Sequence, residues 1–145
     1  MRTLSLFLIV LFSLSFISCH KDAPNSNGLG IMSANINGTS WSSTWYATSG
    51  GATVSSSGLS LNASLSSSYI SMQIITYTGP GVYNLGGVNG ALFGDGSGTE
   101  YHATSGSVSV SADNGYYVSG TFNFSGIGTN GFPFNISYGQ FNLQK

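Results

Sequence analysis

A chain of 145 residues with three Lys or Arg and four Asp or Glu, 5% charged in all, carries a formal net charge of −1. That surface excludes nucleic-acid binding, which takes clustered Lys and Arg to displace counterions, and it is unlike a charged disordered tail. The 21 Gly, the abundant Ser, Thr and Asn, the 13% aromatic residues and the single Cys point to one β-rich domain held by packing and backbone pairing without disulfides.

The first element is apolar. Arg2 supplies a positive start, residues 4–17 form a hydrophobic run, and small Ser18 precedes Cys19. That order is the layout of a secretory signal peptide, and the run is shorter than the ~20 residues that span a bilayer comfortably. Phe16-Ile17-Ser18-Cys19 resembles the lipobox of bacterial lipoproteins, with Phe16 in place of the usual Leu. The resemblance implies cleavage after Ser18 and a diacylglyceryl group on the Cys19 thiol, so residues 1–18 are expected to be a lipoprotein signal peptide. The membrane then becomes a partner through the lipid, since each buried methylene contributes about 0.8 kcal/mol and two or more chains anchor stably. A lone thiol in an oxidising compartment also needs an explanation, which lipidation supplies. Residues 20–30 are polar, with Pro24, Gly28 and Gly30, and read as an extended tether behind the lipidated cysteine. Lys21-Asp22 faintly resembles the signal that carries some Bacteroidota lipoproteins to the cell surface. The expected location is the cell envelope, as an outer-membrane lipoprotein.

Residues 31–145 then alternate with a period of two. Met32, Ala34 and Ile36 share a face before Asn37-Gly38, a two-residue hairpin signal. Trp41 and Trp45 share the next face, with Tyr46 opposite. Leu59, Leu61, Ala63 and Leu65, then Ile70, Met72 and Ile74, alternate with Ser, Asn, Tyr and Gln. Gly79-Pro80-Gly81 turns into Val82, Tyr83 and Leu85, and Asp113-Asn114-Gly115 turns from Val108 and Val110 into Tyr116, Val118, Phe122 and Phe124. Asn130-Gly131 leads to Phe132, Phe134 and Ile136, with Pro133 suited only to a strand start or edge. After Tyr138-Gly139 the apolar parity moves to Phe141 and Leu143, which predicts a bulge or tight turn. No segment shows helical periodicity over two turns.

The expected fold is all-β: an antiparallel meander of about eight to ten strands. Exposed sheet edges are usually defended by charge or Pro, and this chain has almost no charge to place there. Closure removes edges, so a closed or nearly closed barrel is the first expectation and a β-sandwich the alternative.

Three stretches look familiar together: Ile36-Asn37-Gly38-Thr39-Ser40-Trp41, Gly81-Val82-Tyr83-Asn84-Leu85, and the run from Thr104-Ser105-Gly106 through Val118-Ser119-Gly120-Thr121-Phe122 to Gly139-Gln140-Phe141. In that order, over about residues 31–143, they resemble an uncharacterised family of small β-rich Bacteroidota lipoproteins. The resemblance implies an envelope β-domain. The family has no assigned activity, so no functional residue carries over.

The densest polar chemistry is at residues 94–102. Glu100 and His102 are two apart and share a strand face, so a carboxylate could orient an imidazole. Asp95 and Glu100 flank a glycine-rich loop, but their spacing does not fit an EF-hand, and zinc would need three or four ligands where the folded part has one His. No metal and no cofactor is expected. Serine catalysis would need a base with an orienting group, and Gly96-Ser97-Gly98 is no nucleophile elbow. Trp41, Trp45 and Tyr46 are the aromatic candidates for stacking on a sugar or peptide, set against ordinary sheet packing. With Asp95, Glu100 and His102 they make up the candidate ligand-binding residues. The functional expectation is a non-enzymatic, lipid-anchored binding or structural module with a glycan or protein ligand. Its alternatives are a small inhibitor barrel that binds a protein, and a hydrolase centred on Glu100 and His102.

Overall fold

A computed structural model describes residues 30–43 and 51–145. Cys19, Ser18, Trp45 and Tyr46, with the signal peptide and most of the tether, lie outside the described residues. Among those described, the chain forms ten strands: β1 (Ile31–Ile36), β2 (Thr39–Ser42), β3 (Gly51–Ser55), β4 (Gly58–Leu65), β5 (Ser68–Ile74), β6 (Gly81–Leu85), β7 (Gly90–Gly94), β8 (Glu100–Asp113), β9 (Tyr117–Gly128) and β10 (Pro133–Gln144).

All ten belong to one antiparallel sheet of order β2-β1-β10-β9-β8-β7-β5-β4-β3. The first strand closes onto the last, so β1 lies between β2 and β10. The 14-residue β8 is long because it serves two neighbours on one side. Its first residues, Glu100 to His102, pair with β7, and Gly106 to Val110 pair with β6. A single strongly curled sheet, a half-barrel, answers the choice between barrel and sandwich.

Curling gives every strand one inward face. Met32, Leu59, Leu61, Ile70, Met72, Ile74, Val108, Val118, Phe124, Ile136 and Leu143 are fully buried there. Phe124 meets Phe134 edge-on at 5.7 Å, and Phe122 lies 6.3 Å from Phe141, arrangements that add to area burial. The outward face carries Ser, Thr, Asn and Gln in the alternate positions, as a sheet solvated on one side should.

The two ends of the sheet approach each other through side chains. Trp41 of β2 is 7% exposed, and its indole Nε1–H donates to Ser68 Oγ at the start of β5, at 2.9 Å. Ser68 Oγ in turn donates to the Leu65 carbonyl at 2.9 Å. At the other end of the seam, a side chain on Gly51 of β3 would come within 3.5 Å of the Gln144 carbonyl of β10.

The turns follow their residues. Asn37 and Gly38 have φ of 49° and 84°, the doubly left-handed geometry that Asn-Gly supplies to a two-residue hairpin. Asn37 Oδ1 also accepts the Asn135 N–H at 2.8 Å, tying this hairpin to β10. In the β8–β9 turn Asn114 Oδ1 accepts from the N–H groups of Tyr116 and Tyr117, both at 3.0 Å. The parity shift in β10 is a bulge. Register breaks between Ile136 and Gly139 against β9, and between Ser33 and Asn35 against β1, with Tyr138 at φ 52° between them. Pro133 opens β10, as its missing N–H requires.

Tyr116 and Phe132 depart from the alternation, both being exposed. Each precedes the first residue of its strand and is fixed by the turn, Phe132 through its N–H to Asn130 Oδ1 at 3.0 Å. The turn geometry overrides the inward parity at those two places.

Candidate functional site

Two clefts on the outer surface gather the side chains with chemistry. The first lies where β5, β7 and β8 run side by side. Strand pairing puts Tyr69 opposite Gly94, and Gly94 opposite Glu100. The Tyr69 ring lies across Gly94, where a β-carbon would come within 2.2 Å of it. Glycine is therefore what lets the ring reach across β7. Tyr69 Oη–H donates to Glu100 Oε1 at 2.6 Å, and Glu100 Oε2 stands 3.5 Å from His102 Nε2. Thr129 borders the cleft, its N–H donating to the Glu100 carbonyl at 2.8 Å. The cavity measures about 340 Å³.

Glu100 and His102 share a face, as their spacing predicts, and they remain open to water, with side chains 44% and 58% exposed. The hydrogen bond to Glu100, with burial and the carboxylate's charge, raises the Tyr69 phenol above its usual value. Tyr69 therefore remains a protonated donor at neutral pH. Among the described residues no serine hydroxyl is bonded to the His102 imidazole, so this geometry holds a carboxylate and an imidazole without assembling a nucleophile beside them. No three of His, Cys, Asp and Glu come together among the described residues.

Asp95 takes no part in that pair. Its Oδ1 accepts from Ser97 N at 2.8 Å, Ser97 Oγ at 2.7 Å and Thr99 N at 3.3 Å. These bonds, led by the Ser97 hydroxyl, hold its carboxyl below the usual carboxylate range. The Asp-x-Ser-x-Thr string forms a turn, closed by Asp95 N–H donating to the Thr99 carbonyl at 3.2 Å, with the Tyr101 hydroxyl as a further donor to Asp95.

The second cleft lies on β2, β1 and β10. Ser33, Asn35, Ser40, Ser42 and Tyr138 line it, with Ala34 and Trp41 forming its floor, in about 310 Å³. Of the aromatic candidates, Trp41 is a core residue whose ring faces inward. The exposed ring is Tyr138, 82% exposed and set at the β10 bulge. The alternation pattern signals the bulge but gives no reason to place Tyr138 beside β1. Tyr101, another aromatic next to the Glu100 pair in sequence, also turns its ring inward, stacked on Phe93 at 5.9 Å and tilted against Phe134 at 5.1 Å.

Fold and clefts together define a small, single-sheet, all-β domain with a neutral polar exterior. Residues 31–143 match the family described as a domain of unknown function, DUF6252, and the chain belongs to that family. No curated protein and no solved structure matches it.

Proposed function

We propose that this protein is a lipid-anchored domain of the bacterial envelope, carried on the outer membrane, that binds its partner without transforming it. The observation that carries the reading is the placement of Cys19. It stands directly after small Ser18 at the end of the apolar run of residues 4–17, which Arg2 precedes. The polar residues 20–30 that follow give the domain a tether long enough to stand clear of the bilayer. The cleft on β1, β2 and β10 offers hydroxyl, amide and phenol groups and no charged side chain, which supports binding as its role.

Growth with a radiolabelled fatty acid tests the anchor. Label is expected in the parent chain and absent from Cys19→Ala, which should also leave the membrane fraction; equal labelling of both ends the reading. Protease treatment of intact cells then separates a surface-facing domain from a periplasmic one. A hydrolase centred on Glu100 and His102 is the second reading, favoured by their 3.5 Å approach. It requires that any hydrolytic activity of the parent disappear in His102→Ala.

A further inference from the structure

We propose that the groove beside Tyr138 binds a neutral carbohydrate, with the Tyr138 ring as the stacking platform. The inference rests on the binding half of the function proposed above and is independent of the anchor.

The first observation is conformational. Tyr138 occupies a left-handed position, φ 52°, in the β10 bulge. Gly or Asn adopts that geometry easily, whereas a bulky side chain there is an outlier. The parity shift between Ile136 and Phe141 requires a bulge, but it does not require an aromatic residue in it. Burial does not repay the strain either, because the ring is 82% exposed. A costly conformation that holds an exposed ring against a groove is what a binding platform needs.

The second observation is the company the ring keeps. Ser33 and Ser42 are direct cross-strand partners, and so are Asn35 and Ser40. All four point outward from the β1–β2 hairpin into the groove. Ser40 Oγ donates to Asn35 Oδ1 at 3.3 Å, which leaves the Asn35 amide N–H groups to donate outward. The hairpin below is rigid, pinned by the buried Ala34 and Trp41 and by its doubly left-handed turn. No charged residue lines the groove. A phosphate, a metal ion or an acidic sugar would find no counter-charge there. A neutral sugar finds a flat ring for its C–H face and a mixed row of hydroxyl donors and acceptors with one amide for its hydroxyls. The volume of about 310 Å³ is at the small end for ligand sites, roughly 300–1,000 Å³, and suits a mono- or disaccharide unit of a longer glycan.

The test is isothermal titration of the full chain, solubilised in a detergent without a sugar headgroup. The probes are maltohexaose, laminarihexaose, mannohexaose and xylohexaose, with a heparin hexasaccharide as the charged control. At least one neutral probe should bind with a millimolar or tighter Kd, equally at low and high salt, since no charge is involved. Tyr138→Gly and Asn35→Ala should each weaken that binding by about tenfold or more, and Tyr138→Phe by less than about threefold. Thermal unfolding of Tyr138→Gly should occur at the parent temperature or above it, so that lost binding cannot be lost folding. The proposal is overturned by no neutral binding at millimolar probe, by unchanged binding in Tyr138→Gly, by salt-sensitive binding of heparin alone, or by a Tyr138→Gly variant that melts well below the parent. Sugar binding that persists in an unanchored Cys19→Ala chain would remove the location and keep this inference. An anchored chain that binds none of the sugars would do the reverse.

Discussion

The seam between the two ends of the sheet gives the sharpest test of the fold. Trp41 closes it with one neutral hydrogen bond, Nε1–H to Ser68 Oγ at 2.9 Å, and with a ring 7% exposed. Trp41→Phe removes the donor, at about 1 kcal/mol for a part-buried neutral bond. It also shrinks the ring, which leaves a gap that costs about 1 kcal/mol more. The sum is about 2 kcal/mol, or a fall in Tm of roughly 8 °C for a domain of this size. Trp41→Ala should cost about 3–5 kcal/mol. Urea unfolding of Trp41→Phe, Ser68→Ala and the double variant, with m unchanged from the parent, gives the measurement. The cycle should return a coupling of about 1 kcal/mol. A Trp41→Phe variant within about 0.5 kcal/mol of the parent, with no coupling to Ser68, would show that the ends of the sheet are not joined in this way. Far-UV circular dichroism follows the unfolding, because the Trp41→Phe variants lack the indole that fluorescence would read.

Other predictions follow from single positions. Gly58 has φ 112°, and a β-carbon there would sit 2.1 Å from the Ile74 carbonyl oxygen. Gly58→Ala should therefore cost more than about 2 kcal/mol by urea unfolding, and a cost below about 0.5 kcal/mol would contradict the β4–β5 register. Asn37→Ala should lose about 2 kcal/mol, from the left-handed φ of 49° and from the bond to the Asn135 N–H; an unchanged Tm would mean that the hairpin is not of this type. Asp113 is held below the usual carboxylate range by the Lys145 ammonium first and the Tyr77 hydroxyl next. A depressed carboxyl pKa stabilises the fold above the unfolded value of about 3.9 and loses that contribution as pH falls through the folded value. Stability of the parent should thus fall on acidification below about pH 4, and Asp113→Asn should flatten that slope; a parallel slope in both would refute the pairing. Burial, then the bond to Asp113 and its charge, raises the Tyr77 phenol. That contribution is complete below about pH 10 and lost as pH climbs through the folded value, so Tyr77→Phe should be less sensitive to alkali than the parent.

Local chemistry was legible wherever neighbours in sequence determined it. Asn37-Gly38, Asp113-Asn114-Gly115 and Asn130-Gly131 all turn, and the inward residues of β1, β4, β5, β9 and β10 follow from alternation. The shift to Phe141 and Leu143 announced the bulge at Tyr138. What depended on remote pairing was not legible. β3 and β7, Gly-Ala-Thr-Val-Ser and Gly-Ala-Leu-Phe-Gly, have no clear alternation of their own and exist through their partners. The bond from Tyr69 to Glu100 spans 31 residues and requires that β7 lie between β5 and β8, an order no local pattern encodes. Tyr138 faces Ser33 and Asn35 because the first strand pairs with the last. The bonds of Asp95 are local by contrast: the donors from Ser97 and Thr99 lie two and four residues away in its own turn.

The distribution of charge connects the architecture to the kind of partner the surface suits. Among the described residues, Asp113 and Lys145 pair with each other, Asp95 is taken up by its own turn, and Glu100 is engaged by Tyr69 and His102. Each described ionised side chain thus has an intramolecular partner. Like-charge repulsion on exposed strands therefore cannot protect the edges of this sheet. Protection falls to curvature, which brings β2 towards the β4–β5 turn through Trp41 and β3 towards the end of β10. The same curvature sets the outward rows of Ser, Thr, Asn and Gln side by side on the exterior, broken by the exposed Glu100 and His102 and by apolar Val82, Val88 and Ile127. Away from the Glu100 and His102 pair, recognition on such an exterior works mainly through hydroxyls, amides and exposed rings. The β1–β2–β10 groove is where an exposed ring, an amide and several hydroxyls meet over a rigid floor.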